Sequence, residues 1–303
     1  MVFMTTRPAR LAAVLLAGIA LAGSVVGCAA TGPASEESGR PTVLAAFYPL
    51  AFVAEQIGGP EVSVTNLTTP GVEPHDLELT PRQVAAIADA DLVIYVKGFQ
   101  PAVDEAVEQS AGRTLEVASV VPLTSTPGSG TDRDPHFWLD PTKLAQLVDP
   151  VSEQLAAADP SHASTFAEQA DALKSKLAEL DGEYRSGLGL CARTEIVTAH
   201  AAFGYLAARY RLEQIPIAGL SPDQEPAPER IQQIQQLVQQ RGITTIFFER
   251  LLSADLAETI ARDTGATAAL LDPIEGITDT ATNDYFTVMR ANLAALRKAL
   301  SCT

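Results

Sequence analysis

DLVIYV, residues Asp91–Val96, decides the fold. A nearly continuous apolar run of this length reads as a strand covered on both faces, and such strands belong to parallel sheets with helices on either side. Upstream, TVLAAF (Thr42–Phe47) is a β candidate, followed by an apolar-periodic helix that ends at Gly58-Gly59. EVSVTNLTT (Glu61–Thr69) is the next strand, and Thr80 before Pro81 marks a helix start. Downstream, a helix begins near Pro101 and TLEVASV (Thr114–Val120) is a fourth strand. Strands alternating with helices predict one α/β lobe over residues 41–141.

Two helical stretches come next, Thr142–Ala157 and Ser161–Leu188, separated by Asp159-Pro160. The second places Phe166, Ala170, Leu173, Leu177, Leu180 and Tyr184 at spacings of 3–4 residues, which is helical periodicity. At about 1.5 Å per residue it would be ~40 Å long. The segment 142–189 is therefore expected to be a helical connector between lobes, the alternative being a helix packed within one lobe. After Cys191 the alternation resumes with EIVTAH (Glu195–His200), EQIPIAGL (Glu213–Leu220), ITTIFFER (Ile243–Arg250) and TAALLDP (Thr267–Pro273) as strands, and a last helix from about Asn283 to Leu300. The predicted class is α/β: two βα lobes, 41–141 and 190–303, each with a parallel four-stranded sheet, joined by one long connecting helix.

Hydrophobic residues make up 47% of the 303, enough for packed cores. A formal charge of −16 argues against nucleic-acid binding, which needs clustered Lys and Arg. Residues 1–27 read as a signal peptide: Arg7 and Arg10 precede an apolar run from Leu11 to Val26 that is short for a membrane span. Val25-Val26-Gly27-Cys28 resembles a bacterial lipoprotein signal, with Cys28 as the lipidated residue and Val25 where Leu is usual. Residues 28–40 then read as a flexible tether. The expectation is a protein anchored through Cys28 on the outer face of the bacterial cell membrane, with plain secretion as the alternative. Outside the cytoplasm the remaining pair, Cys191 and Cys302, reads as a disulfide. In the chain-entropy account it would contribute on the order of 4–5 kcal/mol.

DPHFWLDP (Asp134–Pro141) fixes one of four histidines between two prolines beside apolar rings. His136 follows the loop after the first lobe's last strand, His75 lies just after a strand, and His200 ends one. Asp272, ending TAALLD, is placed in the same way. Ligands of open α/β sheets bind beyond the carboxyl ends of the strands, so these residues can converge on one crevice. Three imidazoles with one carboxylate suit Zn²⁺, while more oxygen donors would favour Mn²⁺. Glu73 and Asp76 are alternative or supporting oxygens, and Glu249 is a further supporting candidate. His162, which begins the connector helix, reads as a surface or capping residue.

GVEPHDLELTP, DPHFWLDP, TAHAAFGYLA and LDPIEG occur in this order and resemble the metal-binding extracellular components of ABC transporters for zinc and manganese, the ZnuA/TroA-like family. The resemblance covers the chain from residue 41 onward. It implies two βα lobes bridged by a long helix, and a metal held by His75, His136, His200 and Asp272. His at position 200, where manganese members tend to carry Glu, leans toward zinc. Many zinc members have a long His-rich loop before the second ligand; here that region is the short, His-free TSTPGSGTDRD, which weakens the metal assignment. The implied function is capture of Zn²⁺, with Mn²⁺ as the alternative, and delivery to a membrane permease by a monomer that is not an enzyme. An adhesin-like second role also occurs on this fold. A secreted zinc hydrolase is the rival from another class, with Glu73 or Glu249 as base, but no HExxH motif is present.

Overall fold

A computed structural model describes residues 39–124, 133–222, 225–279 and 281–303. The expected signal peptide, Cys28, nearly all of the expected tether and most of the loop before Asp134 lie outside these residues.

Four strands, β1 (Thr42–Ala45), β2 (Ser63–Asn66), β3 (Leu92–Tyr95) and β4 (Thr114–Glu116), form a parallel sheet in the order β2-β1-β3-β4. A second parallel sheet repeats the plan as β6-β5-β7-β8, from β5 (Glu195–Thr198), β6 (Glu213–Pro216), β7 (Thr245–Phe248) and β8 (Thr267–Leu270). The eight expected strands are all present. β3 stops one residue before its expected segment does and the others two or more before theirs, so the residues just beyond each strand leave the sheet. The apolar character of β3 has the anticipated cause, since Leu92, Val93 and Ile94 are wholly buried.

Helices α1 (Tyr48–Gly58), α2 (Pro81–Asp89) and α3 (Pro101–Glu108) make the crossovers of the first sheet. The chain then runs through α4 (Pro141–Ala158) and α5 (Ala163–Gly187). Crossovers α6 (Gly204–Tyr210), α7 (Pro228–Arg241) and α8 (Asp255–Thr264) serve the second sheet, and α9 (Tyr285–Leu300) closes the chain. Local chemistry sets these limits. Thr80 and Gln83 form a reciprocal capping box at the start of α2, with Pro81 in the first turn. Asp140 and Asp284 cap α4 and α9, while Gly242 and Gly265 end α7 and α8 in the left-handed conformation that glycine adopts without a steric penalty.

The long helix is α5, with 25 residues and therefore ~37 Å of length. Its apolar stripe, Phe166, Ala170, Leu173, Leu177, Leu180 and Tyr184, is buried against α1 and α4 on one side and α9 on the other. Each of its larger apolar side chains contributes roughly 1.5–3 kcal/mol relative to exposure. The Tyr184 hydroxyl donates to the Met289 carbonyl of α9 at 2.6 Å, so the helix is pinned to the far half of the chain as well as packed on it. A second, smaller core lies under the other sheet, where Val197, Ile215 and Ile246 meet Ile234, Val238 and Ile260 of α7 and α8. Cys191 and Cys302 are joined in a disulfide that ties the chain two residues past α9 to the segment before β5.

Candidate metal centre

The loops beyond the strands carry the site. His75 lies in the long loop between β2 and α2, which buried Gln100 holds by donating to the Pro74 carbonyl and to Thr68 Oγ1, both at 3.1 Å. Thr68 in turn donates to the Ala46 carbonyl at 2.8 Å, anchoring the loop to the end of β1. His136 opens the short 3₁₀ turn Phe137–Leu139, and His200 lies two residues past β5. Beyond β8, the loop that begins at Leu271 brings Glu275 to the same point.

The ligating atoms of His75, His136, His200 and Glu275 all lie within 4.8 Å of one another. Glu275 Oε1 is 2.9 Å from His136 Nε2, 3.2 Å from His200 Nε2 and 3.4 Å from His75 Nε2. The Nε2 atoms of His136 and His200 are 3.3 Å apart. With Zn–N bonds of 2.0–2.1 Å, a regular tetrahedron has edges of about 3.3 Å. Four of the six edges are thus already near the length that tetrahedral zinc requires.

Carboxylates hold the other nitrogens of two rings. Asp134 Oδ1 lies 2.8 Å from His136 Nδ1, and Glu249 Oε2 lies 2.7 Å from His200 Nδ1. Each accepts a proton at Nδ1, leaving Nε2 to face the centre, the usual support for a ligating imidazole. Glu73 accepts the backbone N–H of His75 at 2.9 Å. Asp76 lies with His75, Glu78 and Glu105 along an open groove of about 730 Å³ between α2 and α3. His136, His200 and Glu275 are buried, whereas His75 reaches this groove.

Charge in the metal-free site follows from these contacts. Burial pushes the His200 imidazole down, but the Glu249 and Glu275 carboxylates outweigh it and hold its pKa well above the ordinary 6.5. For His136, burial is likewise outweighed by hydrogen bonds to Asp134 and Glu275, and the pKa is raised. At His75 burial prevails over Glu275 and the value is lowered. Burial would raise Glu275, yet the facing imidazoles hold it well below 4.5.

Asp272 corrects the expected set. Its carboxylate is engaged elsewhere: Oδ2 accepts from Arg250 Nε at 2.8 Å and Oδ1 from the Ile274 N–H at 2.9 Å. Asp272 stands outside the group of converging donors, and Glu275, in the same LDPIEG segment, faces the imidazoles instead. The strand-end rule selects the first carboxylate after the strand; the Asx turn that consumes Asp272 was readable only from the Asp-Pro step. Asp134 was also missed, although it lies in the same DPHF segment as His136. His162 takes no part in the site; its Nδ1 and Asp159 Oδ2 are paired just before α5.

Comparison with known proteins gives the family. The family model described as zinc-uptake complex component A, periplasmic, matches residues 43–299. The zinc-binding protein AdcA of Streptococcus pyogenes serotype M3 is 35% identical over 287 residues, covering 86% of this chain but 56% of its own length. This chain therefore spans little more than half of the AdcA relatives it matches. ZnuA, a high-affinity zinc uptake system protein of Bacillus subtilis, is 31% identical and covered over 90% of its length. Among solved structures, laminin-binding protein Lmb of Streptococcus agalactiae superposes with a TM-score of 0.80 at 31% identity, covering 86% of this chain and 99% of its own. The Zn(II)-bound ZnuA-like domain of Streptococcus pneumoniae AdcA gives 0.75 at 33% identity, with 86% and 99% covered. A family match over residues 43–299 settles the lineage: the chain belongs to the ZnuA family of zinc-uptake substrate-binding proteins.

Proposed function

We propose that this protein captures Zn²⁺ outside the cytoplasm and delivers it to an ABC-type permease, with His75, His136, His200 and Glu275 as the four ligands. The observation that carries the reading is the near-tetrahedral spacing of three imidazole nitrogens and one carboxylate oxygen in a buried site. Imidazole-rich tetrahedral donors suit zinc, whereas Mn²⁺ favours octahedral oxygen ligation. A catalytic zinc site keeps one position open for water, and four converging protein donors leave none, which fits a carrier rather than a hydrolase. The relatives named as zinc-binding and zinc-uptake proteins support the same assignment.

The lobes are 41–141 and 190–303, with 142–189 between them. Lipidation at Cys28 would keep a monomeric protein beside its permease, and a relative in Streptococcus pneumoniae is named as a zinc-binding lipoprotein. Calorimetric titration of the metal-free protein with Zn²⁺ tests the assignment. One tight site is expected, weakened in both His136→Ala and Glu275→Ala. No tight site, or full affinity in either variant, would reject it.

A further inference from the structure

Ile274, directly before Glu275, has φ 58° and is fully buried. A β-branched residue in the left-handed region is a steric outlier, and such outliers persist only where the surroundings over-determine them. Here the surroundings do so from three directions. The Asn292 amide of α9 brackets the Asp272 backbone: Asp272 N–H donates to Oδ1 at 2.9 Å, and Nδ2 donates to the Asp272 carbonyl at 2.6 Å. Trp138 Nε1 donates to the Pro273 carbonyl at 2.7 Å, and the Trp138 carbonyl itself accepts from the Tyr285 hydroxyl at 2.6 Å. Asp272, held by Arg250, accepts the Ile274 N–H.

We propose that Asn292, Trp138 and Asp272 are positioning residues, a clamp that forces Ile274 into the left-handed conformation and so aims the Glu275 carboxylate at the three imidazoles. This rests on Glu275 being a ligand. Residues 272, 273 and 274 each have a backbone group fixed by a buried side chain, so the following residue has little freedom in where it points. Trp138 is two residues past His136, and Arg250 is next to Glu249, which braces His200. The supports of the carboxylate are therefore built from the same segments as the supports of two imidazoles. Placement of a ligand to within about half an ångström needs such a shell.

The test uses the full chain with Zn²⁺ for affinity and Co²⁺ as a spectroscopic probe of coordination. Trp138→Phe keeps an aromatic ring and removes the indole N–H. It is expected to weaken zinc binding about 10–100-fold, the range for outer partners of metal ligands, and to shift the Co²⁺ visible bands toward those of Glu275→Ala. In the double variant Trp138→Phe/Glu275→Ala, no loss beyond Glu275→Ala alone is expected, because Trp138 acts through that carboxylate. Additive losses, or an unchanged Trp138→Phe, would overturn the clamp. If Glu275→Ala itself changes neither affinity nor spectrum, the ligand assignment beneath it fails instead. Ile274→Gly and Ile274→Ala give an independent route should the Trp138 variants not fold. Both empty the same apolar site, but only glycine accepts the left-handed conformation freely, so Ile274→Gly should bind zinc several-fold more tightly than Ile274→Ala. Equal or weaker binding by the glycine variant overturns the proposal.

Discussion

Protons and zinc compete for the same nitrogens. Glu275 Oε1 faces the Nε2 atoms of both His136 and His200, and their raised pKa values mean that protons hold these nitrogens more tightly than in a free imidazole. A raised histidine stabilises the fold fully below its ordinary value of 6.5 and loses that contribution as pH climbs through the folded value. Glu275, depressed below 4.5, contributes above that value and loses its contribution as pH falls through the depressed one. The contributions of His136, His200 and Glu275 are thus fully present together between about 4.5 and 6.5, where the lowered His75 opposes them, while zinc needs the nitrogens deprotonated. Apparent zinc affinity should rise with pH from 6 upward, with protons released on binding. Calorimetry in buffers of different ionisation enthalpy counts those protons; pH-independent affinity with no release would contradict the charge state drawn here. Asp134→Asn and Glu249→Gln should each lower affinity about 10–100-fold, or ~1.4–2.7 kcal/mol, by loosening the imidazole that each holds. Affinity unchanged in both would show that neither carboxylate tunes its ring.

Among the elements, the end of β7 serves two parts of the site, since Glu249 braces His200 and the next residue, Arg250, holds Asp272. The start of α2 serves a third, because Thr80 closes the loop that carries His75. Thr80→Ala removes one half of the capping box and should destabilise the fold by ~1 kcal/mol, seen as a melting shift of about 2–4 °C. Zinc stoichiometry should stay at one, because Gln100 and Thr68 still hold the loop; loss of binding would place the cap in the site itself. This helix start was legible in Thr80-Pro81, as were the strands, whose apolar runs and turn residues are local signals. The convergence of the three histidines was legible because a rare residue type falls in loops that follow strands. Glu275 was not, since only the Asp-Pro step hints locally that Asp272 is engaged; the clamp of Asn292 and Trp138, 20 and 135 residues from the backbone groups they hold, decides which carboxylate turns inward.

Across the whole molecule two cross-links act on different loops. The four proposed donors come from loops of both sheets, so zinc bound there would join the two halves of the chain. The Cys191–Cys302 bridge, with a sequence separation of 111, lies within the second half and fastens the end of α9 beside β5. In the chain-entropy account it stabilises by about 4–5 kcal/mol, acting mainly on the unfolded chain. Zinc at 100 times its dissociation constant adds ~2.7 kcal/mol by mass action, whatever the state of the bridge. The cysteines' hydrogen bonds run to the Leu188 and Arg297 carbonyls, not to a proposed ligand or a side chain that holds one, so the two contributions should be additive. Scanning calorimetry of the wild-type chain and of Cys191→Ser/Cys302→Ser, each with and without zinc, measures all four corners of that cycle. The expected outcome is a lower melting temperature in the serine variant with the zinc-induced gain in unfolding free energy kept. A gain that vanishes with the bridge would mean that the second half needs its covalent tie to hold His200 and Glu275 in place, and the two cross-links would then be one coupled device.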